Sequence, residues 1–100
     1  DIANAQWFAA QVRATPGWRV LAPVPLQTIC IRHEPAGLAG AALDAHTQAW
    51  AERANRSGSV YLTPAKLDGQ WIVRISIGAL PTERAHVEAL WALLQQVVQV

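Results

Sequence analysis

The chain reads as an α+β domain with the element order αββαββα, a two-layer sandwich in which helices cover one face of a mostly antiparallel sheet. Three observations predict it. Apolar residues recur at helical spacing near the start, the middle and the end of the chain. Short β-rich runs lie in pairs between those stretches. The last pair is joined by Asp68-Gly69, a two-residue loop of the kind that closes a tight hairpin.

The first helix spans Ile2–Ala14, where Ile2, Ala5, Ala9 and Val12 share one face. Thr15-Pro16-Gly17 stops it, since proline and glycine commonly follow a helix end. Trp18–Leu21 and Leu26–His33 follow as short strands, and the two prolines of Ala22-Pro23-Val24-Pro25 make the link a bend or an edge. Glu34–Gly40 is a loop. Ala42–Asn55 is the second helix, with Leu43, Thr47, Trp50 and Ala54 along one side, and Asn55-Arg56-Ser57-Gly58 ends it.

Ser59–Lys66 and Gln70–Gly78 form the hairpin. Leu80-Pro81-Thr82 opens the last helix, with Thr82 as N-cap and Glu83 against the positive end of the helix dipole. Val87, Leu90, Trp91, Leu94, Val97 and Val98 form its apolar stripe.

One hundred residues, 52 % hydrophobic and 15 % charged, make a single domain over residues 1–100. A domain of this size buries about 60–70 % of its unfolded surface, a workable core. Five tryptophans suit a contact surface as well as a core. The net charge of +1, with neither sign in blocks, offers nucleic acid or an anionic membrane no partner surface. No apolar run approaches a membrane span or a signal peptide. The lone cysteine, Cys30, excludes an internal disulfide and fits a reducing, cytoplasmic setting. Methionine is absent and Asp1 falls inside a helical pattern, which suggests a fragment of a longer protein.

With Asp68 and Gly69 as the loop, the hairpin register follows: Leu67 faces Gln70, Ala65 faces Ile72, Thr63 faces Arg74 and Tyr61 faces Ser76. Alternation puts Val60, Leu62, Trp71, Val73, Ile75 and Ile77 on the helix-covered face. Tyr61, Thr63, Ile72, Arg74 and Ser76 take the other, a small polar face with one cation at its centre. A guanidinium there is either solvated, held in a structural ion pair, or an anchor for a carboxylate facing a cleft. Its planar fork suits the last role through two parallel hydrogen bonds.

Other candidates carry less chemistry. Cys30 and His33 lie three apart on a strand and so point to opposite faces, while His46 and His86 sit on separate helices, so no metal set assembles. His86, in the first turn of the last helix, is a packing or surface residue. Lys66, the only lysine, lies beside an exposed turn, whereas a Schiff-base lysine needs a buried site. No phosphate loop, nucleophilic triad or carboxylate pair is present. The residues do not make a complete enzyme, and none is assigned a catalytic, cofactor-binding or metal role.

Ser57-Gly58, Tyr61-Leu62-Thr63, Leu67-Asp68-Gly69, Arg74, Ile77-Gly78, Thr82, His86-Val87 and Trp91 together resemble the C-terminal end of the pyridoxal-phosphate-dependent group II amino acid decarboxylases. These include the aromatic-L-amino-acid, tyrosine and tryptophan decarboxylases. Pro16-Gly17-Trp18, Leu21–Leu26 and Cys30-Ile31-Arg32 extend the resemblance upstream, with Ile31 where the family has phenylalanine. The resemblance implies a fold type I enzyme in which a large domain binds pyridoxal phosphate (PLP) on a lysine. A small C-terminal domain, like that of aspartate aminotransferase, closes over the site of a homodimer. It also implies that the cofactor machinery lies outside this chain, with an amino acid, most readily an aromatic one, as substrate.

In glutamate decarboxylases of this family the arginine matching Arg74 contacts a ligand carboxylate. The resemblance therefore makes Arg74 a substrate-binding candidate, with Tyr61 and Thr63 as neighbours. Aromatic members keep an arginine there too, where a structural cross-domain contact is the alternative. Two other readings stand beside this one: the small domain of another fold type I enzyme, and a free-standing α+β module for small-molecule binding or assembly.

Overall fold

The structure, a computed structural model, describes residues 2–21, 28–58, 60–76 and 83–99. Its elements are α1 (Ile2–Ala14), β1 (Trp18–Val20), β2 (Thr28–His33), α2 (Gly40–Arg56), β3 (Thr63–Leu67), β4 (Gln70–Ser76) and α3 (Arg84–Val97). The expected order is therefore observed. The four strands form one antiparallel sheet in the order β1-β2-β4-β3, so the two hairpins join through β2 and β4. The bend at Ala22-Pro23-Val24-Pro25, and Ile77, Gly78 and Thr82, lie outside the described residues.

The β3–β4 register is the expected one, with Thr63 opposite Arg74, Ala65 opposite Ile72 and Leu67 opposite Gln70. Asp68 and Gly69 both adopt positive φ, at 53° and 79°. This is the left-handed pairing of a primed hairpin turn, whose twist matches the flanking strands. Counting from the hydrogen-bonded pair that closes the loop, Pro64 falls at a position whose N–H would point away from β4. On an edge strand its missing donor breaks no ladder bond.

The hairpin departs from expectation at its start. The ladder ends at Thr63 opposite Arg74, so Tyr61 does not pair with Ser76. The cause is Asn55 near the end of α2. Its Nδ2 donates to the Leu62 carbonyl at 2.9 Å, and its Oδ1 accepts from the Leu62 N–H at 2.6 Å. Both backbone groups of Leu62 are thus tied to the helix, and Tyr61 is left 82 % exposed.

The core lies between the sheet and the helices. Ile29, Ile31, Val73, Ile75 and Leu62 meet Ala5, Phe8, Ala9 and Val12 of α1, Trp50, Ala51 and Ala54 of α2, and Val87, Trp91 and Leu94 of α3. Phe8 belongs to this set although the helical pattern did not single it out. Trp18 stands at the centre, with its ring centroid 5.0 Å from Trp91 and 5.7 Å from Trp50, both edge-on as aromatic quadrupoles prefer. The remaining tryptophans lie at the boundary, Trp7 beneath the Arg84 guanidinium at 5.0 Å and Trp71 beneath the Lys66 ammonium at 5.7 Å.

The two ends of α3 are satisfied differently, one locally and one by another helix. The N-cap of α3 is Glu83 rather than Thr82, and the Glu83 N–H donates to His86 Nδ1 at 3.2 Å. At the other end Arg53 of α2 donates from Nε to the Val97 carbonyl at 2.8 Å, placing a cation at the negative end of α3.

The clamp on Leu62 is a sensitive point. Asn55→Ala is expected to destabilise the protein by about 2 kcal/mol, because two backbone groups of a buried residue lose their partner. Asn55→Asp keeps the acceptor but sets a carboxylate oxygen against the Leu62 carbonyl, so it should cost at least as much as the alanine variant. Urea unfolding of the three proteins would check the ranking.

Candidate functional site

The sheet has one covered and one uncovered face, and the chemistry divides accordingly. On β4, Trp71, Val73 and Ile75 point to the helices, while Ile72, Arg74 and Ser76 point away. The central pairing sets Cys30 opposite Arg74, and β1 sets Arg19 opposite Arg32. Arg19, Arg32 and Arg74 therefore share the uncovered face. This corrects the expectation of a single central cation, which considered the hairpin alone. On the same face Ile72 is only 3 % exposed, so it adds little apolar surface.

The three arginines are treated differently. Arg32 is buried, and all its nitrogens are engaged. Nε donates to Glu34 Oε2 at 2.6 Å, Nη1 donates to Gln70 Oε1 at 2.6 Å, and Nη2 pairs with Glu34 Oε2. Such pairing is needed, since a buried guanidinium without a partner would cost several kcal/mol. Arg19, more exposed, shares the same carboxylate oxygen at 3.2 Å. Arg74 is exposed and, among the described residues, makes no ion pair or side-chain hydrogen bond. Thr63 stands at its register position, also exposed, and Tyr61 lies two residues upstream, outside the ladder. The structure brings two of the three expected site residues to one position and leaves the third apart.

On the covered face two histidines meet. His33 Nδ1 and His46 Nε2 are 2.8 Å apart, and the His33 ring also packs on Trp18 at 4.7 Å. Cys30 points the other way, as strand alternation requires. The meeting was not visible in the sequence, because it depends on how α2 lies over β2. Both imidazoles are held below the ordinary histidine range. For His33 the cause is burial and then the neighbouring His46; for His46 it is burial and then the charge of Arg53. Among the described residues no group of three or more metal-ligating side chains is assembled.

No helix among the described residues is long and apolar enough to cross a membrane. An open depression beside β3, lined by Gln48, Glu52, Asn55, Arg56 and Pro64, lies apart from Arg74 and gathers no catalytic set.

No family model matches the chain. Individual proteins do. A tryptophan decarboxylase of Camptotheca acuminata is 29 % identical over 97 residues, covering 96 % of this chain and 19 % of the relative. An aromatic-L-amino-acid decarboxylase of Catharanthus roseus is 25 % identical over 96 residues, with 96 % and 19 % covered.

Among solved structures, the tryptophan decarboxylase of Catharanthus roseus in complex with L-tryptophan superposes with a TM-score of 0.87 at 25 % identity, over 97 % of this chain and 20 % of that one. The 4-hydroxyphenylacetaldehyde synthase of Rhodiola rosea gives 0.88 at 26 %, over 98 % and 21 %. The chain thus matches aromatic amino acid decarboxylases over nearly all its length, and it spans about a fifth of theirs.

The histidine contact gives a signed pH dependence. Unfolded histidines titrate near 6.5, and the folded protein resists protonation of both rings. The stability from this contact is therefore fully present above that value and is lost as pH falls through the lowered folded pKa values. Unfolding midpoints measured from about pH 7.5 down to pH 5 should fall more steeply for the native protein than for His46→Gln. Parallel profiles would refute this assignment.

Proposed function

We propose that the chain is the C-terminal small domain of a PLP-dependent decarboxylase of aromatic L-amino acids, with Arg74 as its contribution to the substrate site. The observation that carries the reading is the match in sequence and fold to tryptophan and aromatic-L-amino-acid decarboxylases across the whole domain. An exposed guanidinium on the uncovered sheet face, unpaired among the described residues, supports it. That group can take a substrate carboxylate through two parallel hydrogen bonds, with the Thr63 hydroxyl beside it. Tyr61, freed from the ladder by the Asn55 clamp, lies near enough in sequence to help form the wall of the site.

The chain's own residues do not fit PLP. Lys66 is exposed, with its ammonium over Trp71, and so lacks the buried setting of a Schiff-base lysine. The cofactor is accordingly assigned to a large domain elsewhere in the protein, consistent with solved relatives described as holding PLP. We further infer a cytoplasmic homodimer in which this domain closes over the active site. The same domain matches a 4-hydroxyphenylacetaldehyde synthase, so the choice among related reactions falls to residues outside it. A large α/β domain with a cofactor lysine, found upstream of Asp1, would separate this reading from a free-standing module.

Two measurements test the proposal. In the full-length protein Arg74→Ala should lower kcat/KM by about 10- to 100-fold, the order of one charge-assisted contact, while the PLP absorbance is retained. Unchanged kinetics would return Arg74 to a structural role. Residues 1–100 alone, mixed with PLP, should give neither a stable cofactor chromophore nor decarboxylation; a chromophore would show that Lys66 is the cofactor lysine after all.

A further inference from the structure

Three arginines lie on the uncovered face, yet the four strands contain no aspartate or glutamate. The carboxylate that answers them comes from Glu34, the residue after β2. Its Oε2 takes Nε and Nη2 of Arg32 and Nη1 of Arg19, and Gln70 Oε1 holds the last nitrogen of Arg32. The Arg32 side chain is 4 % exposed, so this is a built, desolvated contact rather than a passing surface pair. Arg74 sits on the adjacent strand, one step along the same face, and has no such partner among the described residues. One carboxylate thus contacts two of the three guanidinium groups and offsets the charge of one.

We propose that Glu34 is a specificity-determining residue. With Gln70 it saturates Arg32, and it takes one nitrogen of Arg19, so that among the described residues Arg74 is the arginine of the face with no carboxylate partner; the site thereby favours amino acids carrying a single carboxylate. Diagonal neighbours on adjacent strands lie about 7–8 Å apart, within reach of long side chains. Without Glu34, a ligand with two carboxylates could engage Arg74 with one and Arg32 with the other. With Glu34 in place, the second carboxylate meets a like charge and finds no free nitrogen on Arg32, which is discrimination by repulsion. The inference rests on the reading of Arg74 as the substrate's carboxylate anchor.

The test is calorimetric titration of the full-length, cofactor-loaded protein with butyrate, which has one carboxylate, and glutarate, which has two. The native protein should bind glutarate no better than butyrate. Glu34→Gln should tighten glutarate about tenfold relative to butyrate, the scale of one charge-assisted contact, and Glu34→Asp should restore the native ratio. An unmoved ratio in Glu34→Gln overturns the inference. Should that variant fail to fold, Gln70→Glu gives the opposite reading, because it adds a carboxylate against Arg32 without removing one. Glutarate should then weaken several-fold relative to butyrate, and an unchanged ratio there is equally fatal. Arg74→Ala separates the two levels. If butyrate binding ignores that substitution, the anchor reading itself fails and this inference falls with it; if butyrate weakens but the ratio stays fixed, only the role of Glu34 fails.

Discussion

The pairing of β2 with β4 is the constraint on which the rest of the domain depends. It joins two hairpins that lie far apart in the chain, and its register fixes the position of every charged group on the uncovered face. Because side chains alternate, a slip of one residue would turn Arg32 and Arg74 into the core and expel Ile31 and Val73. Burying two guanidinium groups under the tryptophan cluster would cost far more than any ladder bond returns. The apolar alternation of β2 and β4 therefore sets the register, and the register sets the site.

The second helix locks that arrangement by polar contacts as well as by packing. Asp44 accepts from the Trp71 N–H at 3.2 Å, His46 meets His33, and Asn55 holds both backbone groups of Leu62. These contacts reach β4, β2 and the approach to β3 in turn, so α2 spans the sheet and ties three segments of it to one rigid rod. Each satisfies a group that the ladders leave without a partner or that burial would penalise. The uncovered face owes its fixed geometry to a helix on the other side.

Much of this was legible in the sequence, for reasons that are local. Asp68-Gly69 specifies a two-residue turn, and a two-residue turn specifies the register of its own hairpin, so the opposition of Thr63 and Arg74 followed directly. Helix stripes gave most of the core, although Phe8 was missed among the alanines of α1. What was not legible is non-local. No local rule pairs β2 with β4, and without that pairing Arg32 and Arg19 could not be placed beside Arg74. The same holds for His33 with His46. Asn55 carried a weaker signal: as the residue that ends α2 it looked like a helix stop, while its side chain works on the next segment.

The contrast between Arg32 and Arg74 bears on what a surface closing over the sheet would need. Arg32 is already desolvated, and Glu34 and Gln70 compensate it, so another surface could settle over it without new partners. Arg74 is exposed and, among the described residues, unpaired, which in water costs nothing. Covering it would remove that solvation at a cost of several kcal/mol unless an anion arrived at the same time. Any surface that closes over this face must therefore bring a negative group to Arg74, either on a bound molecule or on its own side chains. A permanent structural partner would be expected to resemble Glu34, with a carboxylate built into the fold and held by neighbours. The described residues place no such group near Arg74, and this asymmetry favours a partner that comes and goes.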